Sequence, residues 1–186
     1  MELYTKRLRM RPYTKKDFAA VHSYGSDPET VKYVSFGPNK KRDTKDFLSH
    51  TITVNKKLPR QQYDFAIELR SDGRLIGGCG LNMREPKEAE AGWMLHKDHW
   101  NNGYATEAAM ELLDFAFSTL KLNRVYSRCF ALNHGSWRVM EKCGMQREAV
   151  FRKKRKLRSD PNGPWHDEYV YAILCEDWKS NSGNAL

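Results

Sequence analysis

The sequence predicts an α/β fold: a mixed, mostly antiparallel central sheet of about 6–7 strands with flanking helices. Three observations predict it. Residues 89–116 pass from strand composition through a polar, glycine-bearing loop into an amphipathic helix. Residues 63–70 and 74–81 alternate apolar and polar side chains on either side of Ser71-Asp72-Gly73, a hairpin signal. Finally, the order strand, helices, three strands, helix, strand, helix, two strands interposes helices within one sheet, which makes the sheet mixed. With 186 residues there is chain enough for one domain with a substantial core and too little for two of ordinary size. The domain is expected over 1–179, with a polar, flexible tail at 180–186.

Taken in order, residues 3–12 alternate Leu8 and Met10 with Arg7, Arg9 and Arg11, the pattern of a half-buried strand ended by Pro12. Thr14 is a plausible N-cap for a helix over 15–24 that buries Phe18 and Val21. Asp27-Pro28-Glu29 restarts a short helix through Tyr33, and Gly37-Pro38 marks a loop. Thr44 is expected to cap a helix over 45–56. After the hairpin, residues 89–96 add a third antiparallel strand. Glycines 77, 78 and 80 lie inside a strand with no helix following, so they signal close approach of other groups or a bulge rather than a dinucleotide fingerprint.

Ala105, Ala108, Ala109, Leu112, Leu113 and Ala116 recur at three- and four-residue spacing and form one apolar helical stripe. Residues 124–131 have strand composition. Asn133 then reads as the cap of a helix that Gly144 ends in the C′ role. Residues 145–157 and 166–174 are two long strands joined by the turn cluster Ser159-Asp160-Pro161-Asn162-Gly163-Pro164.

Lys and Arg total 32 against 23 Asp and Glu, a net charge of +9 that favours anionic partners such as a polyphosphate or nucleic acid. The densest basic run, Arg152 to Arg158, is expected to be a solvated hairpin end. Four cysteines stand singly, which suggests reduced thiols in a cytosol. No leader pattern opens the chain, and no uncharged apolar run approaches the ~20 residues that span a bilayer. A cytoplasmic protein without a membrane partner is expected.

The helix that begins at Gly103 leaves its first N–H groups without internal acceptors, and its dipole favours an anion there. This segment, Trp100-Asn101-Asn102-Gly103-Tyr104-Ala105-Thr106-Glu107-Ala108, resembles the pyrophosphate loop of the GCN5-related N-acetyltransferases (GNAT), Arg/Gln-x-x-Gly-x-Gly/Ala. Gly103 and Ala105 match. Trp100 replaces the Arg or Gln, as is frequent in the branch that acetylates ribosomal-protein N-termini. A second segment, Asn133 to Met145, is similar to the family pattern Asn-x-x-(Ala/Ser)-x-x-(Leu/Val)-x-Glu-Lys-x-Gly-(Phe/Met).

The resemblance implies the GNAT fold and an enzyme that moves the acetyl group of acetyl-CoA, a co-substrate, to a primary amine of a protein N-terminus or a small molecule. It implies that the strands at 89–96 and 124–131 splay to admit the pantetheine arm. Backbone groups of Met94, Leu95 and His96 are then expected to pair with its amides, and those of Asn101, Asn102, Gly103, Tyr104, Ala105 and Thr106 to hold the pyrophosphate. An N–H near Leu95 would stabilise the oxyanion. Glu90 is expected to be the general base. Ser136 is expected to protonate the leaving thiolate, with Asn133 hydrogen-bonding the pantetheine, because Met140 stands where many family members carry a Tyr. Tyr33, Phe36 and Phe47 are expected to line the acceptor site.

His96-x-x-His99 has no third ligand in view, so no metal is expected. Two alternatives stay open: a nucleic-acid-binding module using the 152–158 strand, and a catalytically silent CoA-binding homologue. Nucleic acid is the less favoured partner, while homodimerisation and the identity of the amine stay open.

Overall fold

A computed structural model describes residues 1–178, so the tail expected at 180–186 lies outside the described residues. The first expected strand is two. β1 (Leu3–Tyr4) and β2 (Leu8–Arg11) pair antiparallel, with Leu3 opposite Met10. The Thr5 N–H donates to the Leu8 carbonyl at 3.0 Å and the Leu8 N–H to the Thr5 hydroxyl at 2.9 Å, which reverses the chain without glycine or proline.

Thr14 does precede a helix, but the first turn, Lys15–Asp17, is 3₁₀ and continues as α1 (Phe18–Ser26). The Thr14 N–H donates to the Asp17 carboxylate at 2.7 Å. Asp17 and Glu68 are both buried and share the Arg11 guanidinium, at 2.7 and 2.5 Å. Burial favours the neutral form of Asp17, yet the bonds from Arg11 and the Thr14 amide outweigh it and hold the carboxyl below its usual range.

Two other expectations change. Residues 28–33 form turns rather than a helix, because the Asp27 carboxylate accepts the Thr30 N–H at 2.7 Å and a salt bridge from Lys97 at 2.9 Å. α2 (Lys41–Val54) starts before Thr44, its first turn fixed by the Asp43 carboxylate accepting the Lys40 N–H at 2.8 Å. Thr44 is fully buried and meets His22 Nδ1 at 3.0 Å.

The remaining strands are β3 (Gln62–Leu69), β4 (Leu75–Glu85), β5 (Glu88–Leu95), β6 (Arg124–Phe130), β7 (Gln146–Arg155) and β8 (His166–Leu174). They form one eight-stranded sheet in the order β1-β2-β3-β4-β5-β6-β8-β7, one strand more than expected because residues 3–12 fold back. Every neighbouring pair is antiparallel except β5–β6. A parallel pair needs a crossover, here α3 (Tyr104–Asp114), which a π turn extends over Phe115–Thr119.

The alanine-leucine stripe of α3 is buried with Val139 and Met140 of α4 (His134–Lys142) against one face of the sheet. The opposite face carries a smaller cluster in which Tyr13, Val21, Tyr24 and Leu48 pack on Ala66. No helix among the described residues is long and apolar enough to cross a membrane.

Candidate active site

β5 and β6 pair over three positions, from Glu88 opposite Arg124 to Glu90 opposite Tyr126, and then part. Each keeps its other neighbour: β5 stays on β4 through Leu95 opposite Gly77, and β6 on β8 through Phe130 opposite Glu168. A wedge-shaped gap results, with one backbone edge of β5 unpaired. The His96 N–H donates to the Ile76 carbonyl at 2.8 Å. Alternation along an antiparallel ladder therefore commits the backbone groups of His96 and Met94 to β4 and turns those of Trp93 and Leu95 toward the gap. Of the three residues expected to pair with a pantetheine, Leu95 keeps that geometry. Met94 and His96 do not, and Trp93 shares the orientation of Leu95.

The gap opens into a cleft of about 840 Å³. Tyr33, Phe36 and Phe47 all line it, as do Glu90, Asn133 and Ser136, so residues from distant parts of the sequence converge there. Two glycines make room on its floor. A Cβ at Gly78 would lie 1.8 Å from the Tyr13 hydroxyl, and one at Gly80 would lie 2.6 Å from the Tyr63 carbonyl oxygen and 2.7 Å from Asp64 Oδ1, so a side chain at either would force its neighbours to shift. Phe47 meets Tyr13 edge to face at 5.4 Å between centroids, and Tyr13 and Tyr24 join hydroxyls at 3.2 Å.

Asn133 caps α4, its Oδ1 accepting the Ser136 N–H at 3.2 Å. That leaves Asn133 Nδ2 as the donor available to a ligand. Ser136 neighbours the buried Cys129 thiol, which burial pushes up to about 11, Ser136 opposing the rise.

At the end of β5 a 3₁₀ turn (Lys97–His99) leads into the loop before α3. Asn101 and Gly103 both adopt left-handed backbone, φ 61° and 78°. Glu107 N–H makes the first helical bond, to Gly103 O at 3.0 Å, and no bond to a protein acceptor is found for the N–H groups from 101 to 106 among the described residues. These donors form a concave row at a helix N-terminus, suited to a phosphate-bearing ligand.

Arg7 braces this loop. Its guanidinium pairs with Glu107 at 2.6 Å, donates to Asn102 O at 3.0 Å and lies 4.5 Å from the Tyr104 ring centroid. The Trp100 indole N–H donates to Leu95 O at 2.8 Å, tying the loop to the strand. His96 and His99 stand with ring centroids 6.3 Å apart beside it.

Glu90 departs from the role of a free base. Its Oε2 accepts from Arg84 at 2.7 Å and its Oε1 from Arg128 at 2.9 Å. Burial favours the neutral acid, but the two guanidinium groups outweigh it and hold the carboxyl below its ordinary range. Such a group is a weak proton acceptor. Its geometry is that of a strut linking β4, β5 and β6.

Sequence reasoning did not single out Asp64, Arg128 or Glu168 and placed Arg155 only in the basic run 152–158, yet all four line the cleft. Glu168 is buried and paired with Arg155 at 3.1 Å. For Asp64 and Glu168, a carboxylate within a strand that otherwise buries apolar residues was the available signal.

A family model described as an acetyltransferase (GNAT) domain matches residues 7–146. The chain is 37% identical over 180 residues to the uncharacterized N-acetyltransferase YnaD of Bacillus subtilis (strain 168), covering 96% of this chain and 99% of the relative. A crystal structure of a GNAT-family acetyltransferase from Bacillus anthracis superposes with a TM-score of 0.81 at 35% identity, covering 95% of this chain and 99% of that one. A structure of RimL, the ribosomal L7/L12 alpha-N-protein acetyltransferase, in complex with coenzyme A has a TM-score of 0.81 at 16% identity, covering 94% and 98%. At that identity the likeness is one of fold.

Proposed function

The chain belongs to the GNAT acetyltransferase family and is an N-acetyltransferase, and on that footing we propose that it transfers the acetyl group of acetyl-CoA to a primary amine by direct attack of the nitrogen on the thioester. One observation carries the proposal. The parting of β5 from β6 turns the Trp93 and Leu95 backbone toward a gap that Asn133 and Ser136 flank, as the division of labour in such a transfer requires.

Backbone groups of Trp93 and Leu95 bind the pantetheine amides as a neighbouring strand would. The amides from Asn101 to Thr106 hold the diphosphate, and Asn133 Nδ2 donates to the same molecule. A gap-facing backbone N–H of β5 donates to the thioester oxygen as negative charge grows on it. Ser136 gives its hydroxyl proton to the departing thiolate. Glu90 orients Arg128 at the edge of the cleft. The acceptor, a protein N-terminus or a small-molecule amine, enters past Tyr33, Phe36 and Phe47. The four cysteines are free thiols, which fits a cytoplasmic setting.

Thiol release from acetyl-CoA, measured with a panel of peptides bearing free N-termini, polyamines and amino-acid amides, tests the proposal. At least one amine is expected to accelerate release at least tenfold over water with matching formation of its N-acetyl product. Acetyl-CoA binding with no amine-dependent release would mark a silent homologue instead. A salt-dependent affinity for nucleic acid without any for acetyl-CoA would favour the module built on residues 152–158.

A further inference from the structure

Asp64, on β3, lines the cleft and makes no ion pair among the described residues. Its Oδ2 accepts from the Thr51 hydroxyl and from Gln62 Nε2 at 2.6 Å. Its backbone is clamped by Asn55, which accepts from the Asp64 N–H at 3.1 Å and donates to the Asp64 carbonyl at 3.0 Å. Asn55 is itself held by Arg60 at 2.6 Å. The other oxygen, Oδ1, has no hydrogen-bond or ion-pair partner among the described residues. It lies 2.7 Å from the place a Cβ would take at Gly80. The carboxylate therefore leans over Gly80 of β4, where a side chain would meet both it and the Tyr63 carbonyl oxygen, 2.6 Å from that Cβ.

Asp64, Gly80 and Gly92 stand opposite one another across β3, β4 and β5. A Cβ at Gly92 would meet nothing within 4 Å, so the row is bare from Asp64 Oδ1 to the parted edge of β5. At about 4.8 Å per strand the row spans about 10 Å, a span that an alkylammonium head and one water fill. Tyr13, Tyr24 and Phe47, which line the same cleft, present aromatic surface suited to a cation. Of the other carboxylates lining the cleft, Glu90 is paired with two arginines, Glu168 with Arg155, and Asp43 accepts the Lys40 N–H.

We propose that Asp64 receives the ammonium of the acceptor over Gly80 and Gly92 and takes its proton, so that the substrate class is a primary amine entering as a cation. The proposal rests on acetyl transfer being the reaction. Asp64 accepts one proton from the ammonium, and the neutral nitrogen forms the C–N bond with the thioester carbonyl carbon. As the C–S bond breaks, Ser136 gives its proton to the thiolate and recovers one from the nitrogen that becomes the amide. Asp64 then releases its proton to solvent, the one proton that the overall reaction frees.

Charged and titratable groups around Asp64 come from several elements: His50 from α2, Arg60 before β3, Tyr13 and Tyr24 packed on Ala66, and Cys79 from β4. Burial raises the Asp64 carboxyl above its usual range, and the bonds from Thr51 and Gln62 with the charges of His50 and Arg60 only partly oppose this. The carboxylate is the working form, so activity falls as pH drops through this raised value.

The test uses n-butylamine as acceptor, with acetyl-CoA affinity measured separately by calorimetry. Asp64→Asn is expected to bind acetyl-CoA within twofold of wild type, to lower kcat/KM for n-butylamine about 10²-fold, and to lose the acidic limb of the pH profile. Asp64→Glu is expected to restore that limb in part. Wild-type kcat/KM with the limb intact in Asp64→Asn would overturn the proposal. Should n-butylamine prove too poor an acceptor, ¹³C NMR of the Asp64 carboxyl in the coenzyme A complex decides. A titration above the usual aspartate range that n-butylamine shifts supports the proposal, and an ordinary titration indifferent to the amine overturns it. Absence of acetyl-CoA binding in the wild-type protein would instead defeat the acetyl-transfer reading itself.

Discussion

Ser136→Ala is expected to lower kcat about 10²-fold while leaving the Kd for acetyl-CoA within about twofold, the signature of a proton donor acting late in the reaction. The variant is structurally mild. The cap at the start of α4 uses the Ser136 backbone N–H, which Asn133 Oδ1 accepts, so alanine keeps the cap intact. What disappears is a hydroxyl lining the cleft. Met140, seven residues after Asn133, is fully buried and has no proton to give, so it cannot substitute. Steady-state kinetics with the best amine of the panel, beside calorimetry for acetyl-CoA, reads both numbers. An unchanged kcat would remove Ser136 from the chemistry and leave it a first-turn helix residue.

The second large effect lies at the diphosphate end. Gly103 is left-handed, and a Cβ there would come within 3.4 Å only of the Arg7 guanidinium. Asparagine and aspartate both tolerate that backbone and have the same shape. Comparing Gly103→Asn with Gly103→Asp therefore isolates charge. The aspartate variant is expected to bind acetyl-CoA about tenfold more weakly than the asparagine variant at low salt, a like-charge repulsion of about 1.4 kcal/mol against a diphosphate. The difference should shrink as ionic strength rises. Equal affinities in calorimetry would place the diphosphate away from the amides before Tyr104.

The parts of the molecule legible in the sequence were those whose determinants are local. The stripe from Ala108 to Ala116 specifies α3 and the face it buries, and Asn133 with Gly144 marks both ends of α4. The convergence of Tyr33, Phe36, Phe47, Glu90, Asn133 and Ser136 on one cleft followed from family resemblance, not periodicity.

What was not legible depended on partners distant in sequence. Residues 3–12 alternate without interruption, so the reversal made by the Thr5 hydroxyl left no glycine or proline to signal it. Thr44 has the composition of a cap, but its hydroxyl serves His22 across to α1. The neutralisation of Glu90 depends on register. Glu90 is opposite Asn82 and Tyr126, which places Arg84 and Arg128, each two residues further along its strand, as diagonal neighbours. The unpaired oxygen of Asp64 likewise follows from its place opposite Gly80. Arg7, a surface residue of an alternating segment by its pattern, braces the α3 N-terminus through Glu107, a hundred residues away.

The central claim is a geometric one, that a single molecule of coenzyme A spans the amides of residues 101–106 and the gap between β5 and β6. A crystal structure of the protein with coenzyme A measures this directly. The account predicts diphosphate oxygens within hydrogen-bonding distance of amides between Asn101 and Thr106, pantetheine amides on the Trp93 and Leu95 backbone, and the sulfur beside Ser136. Coenzyme A bound elsewhere, with the β5–β6 gap left open, would contradict it.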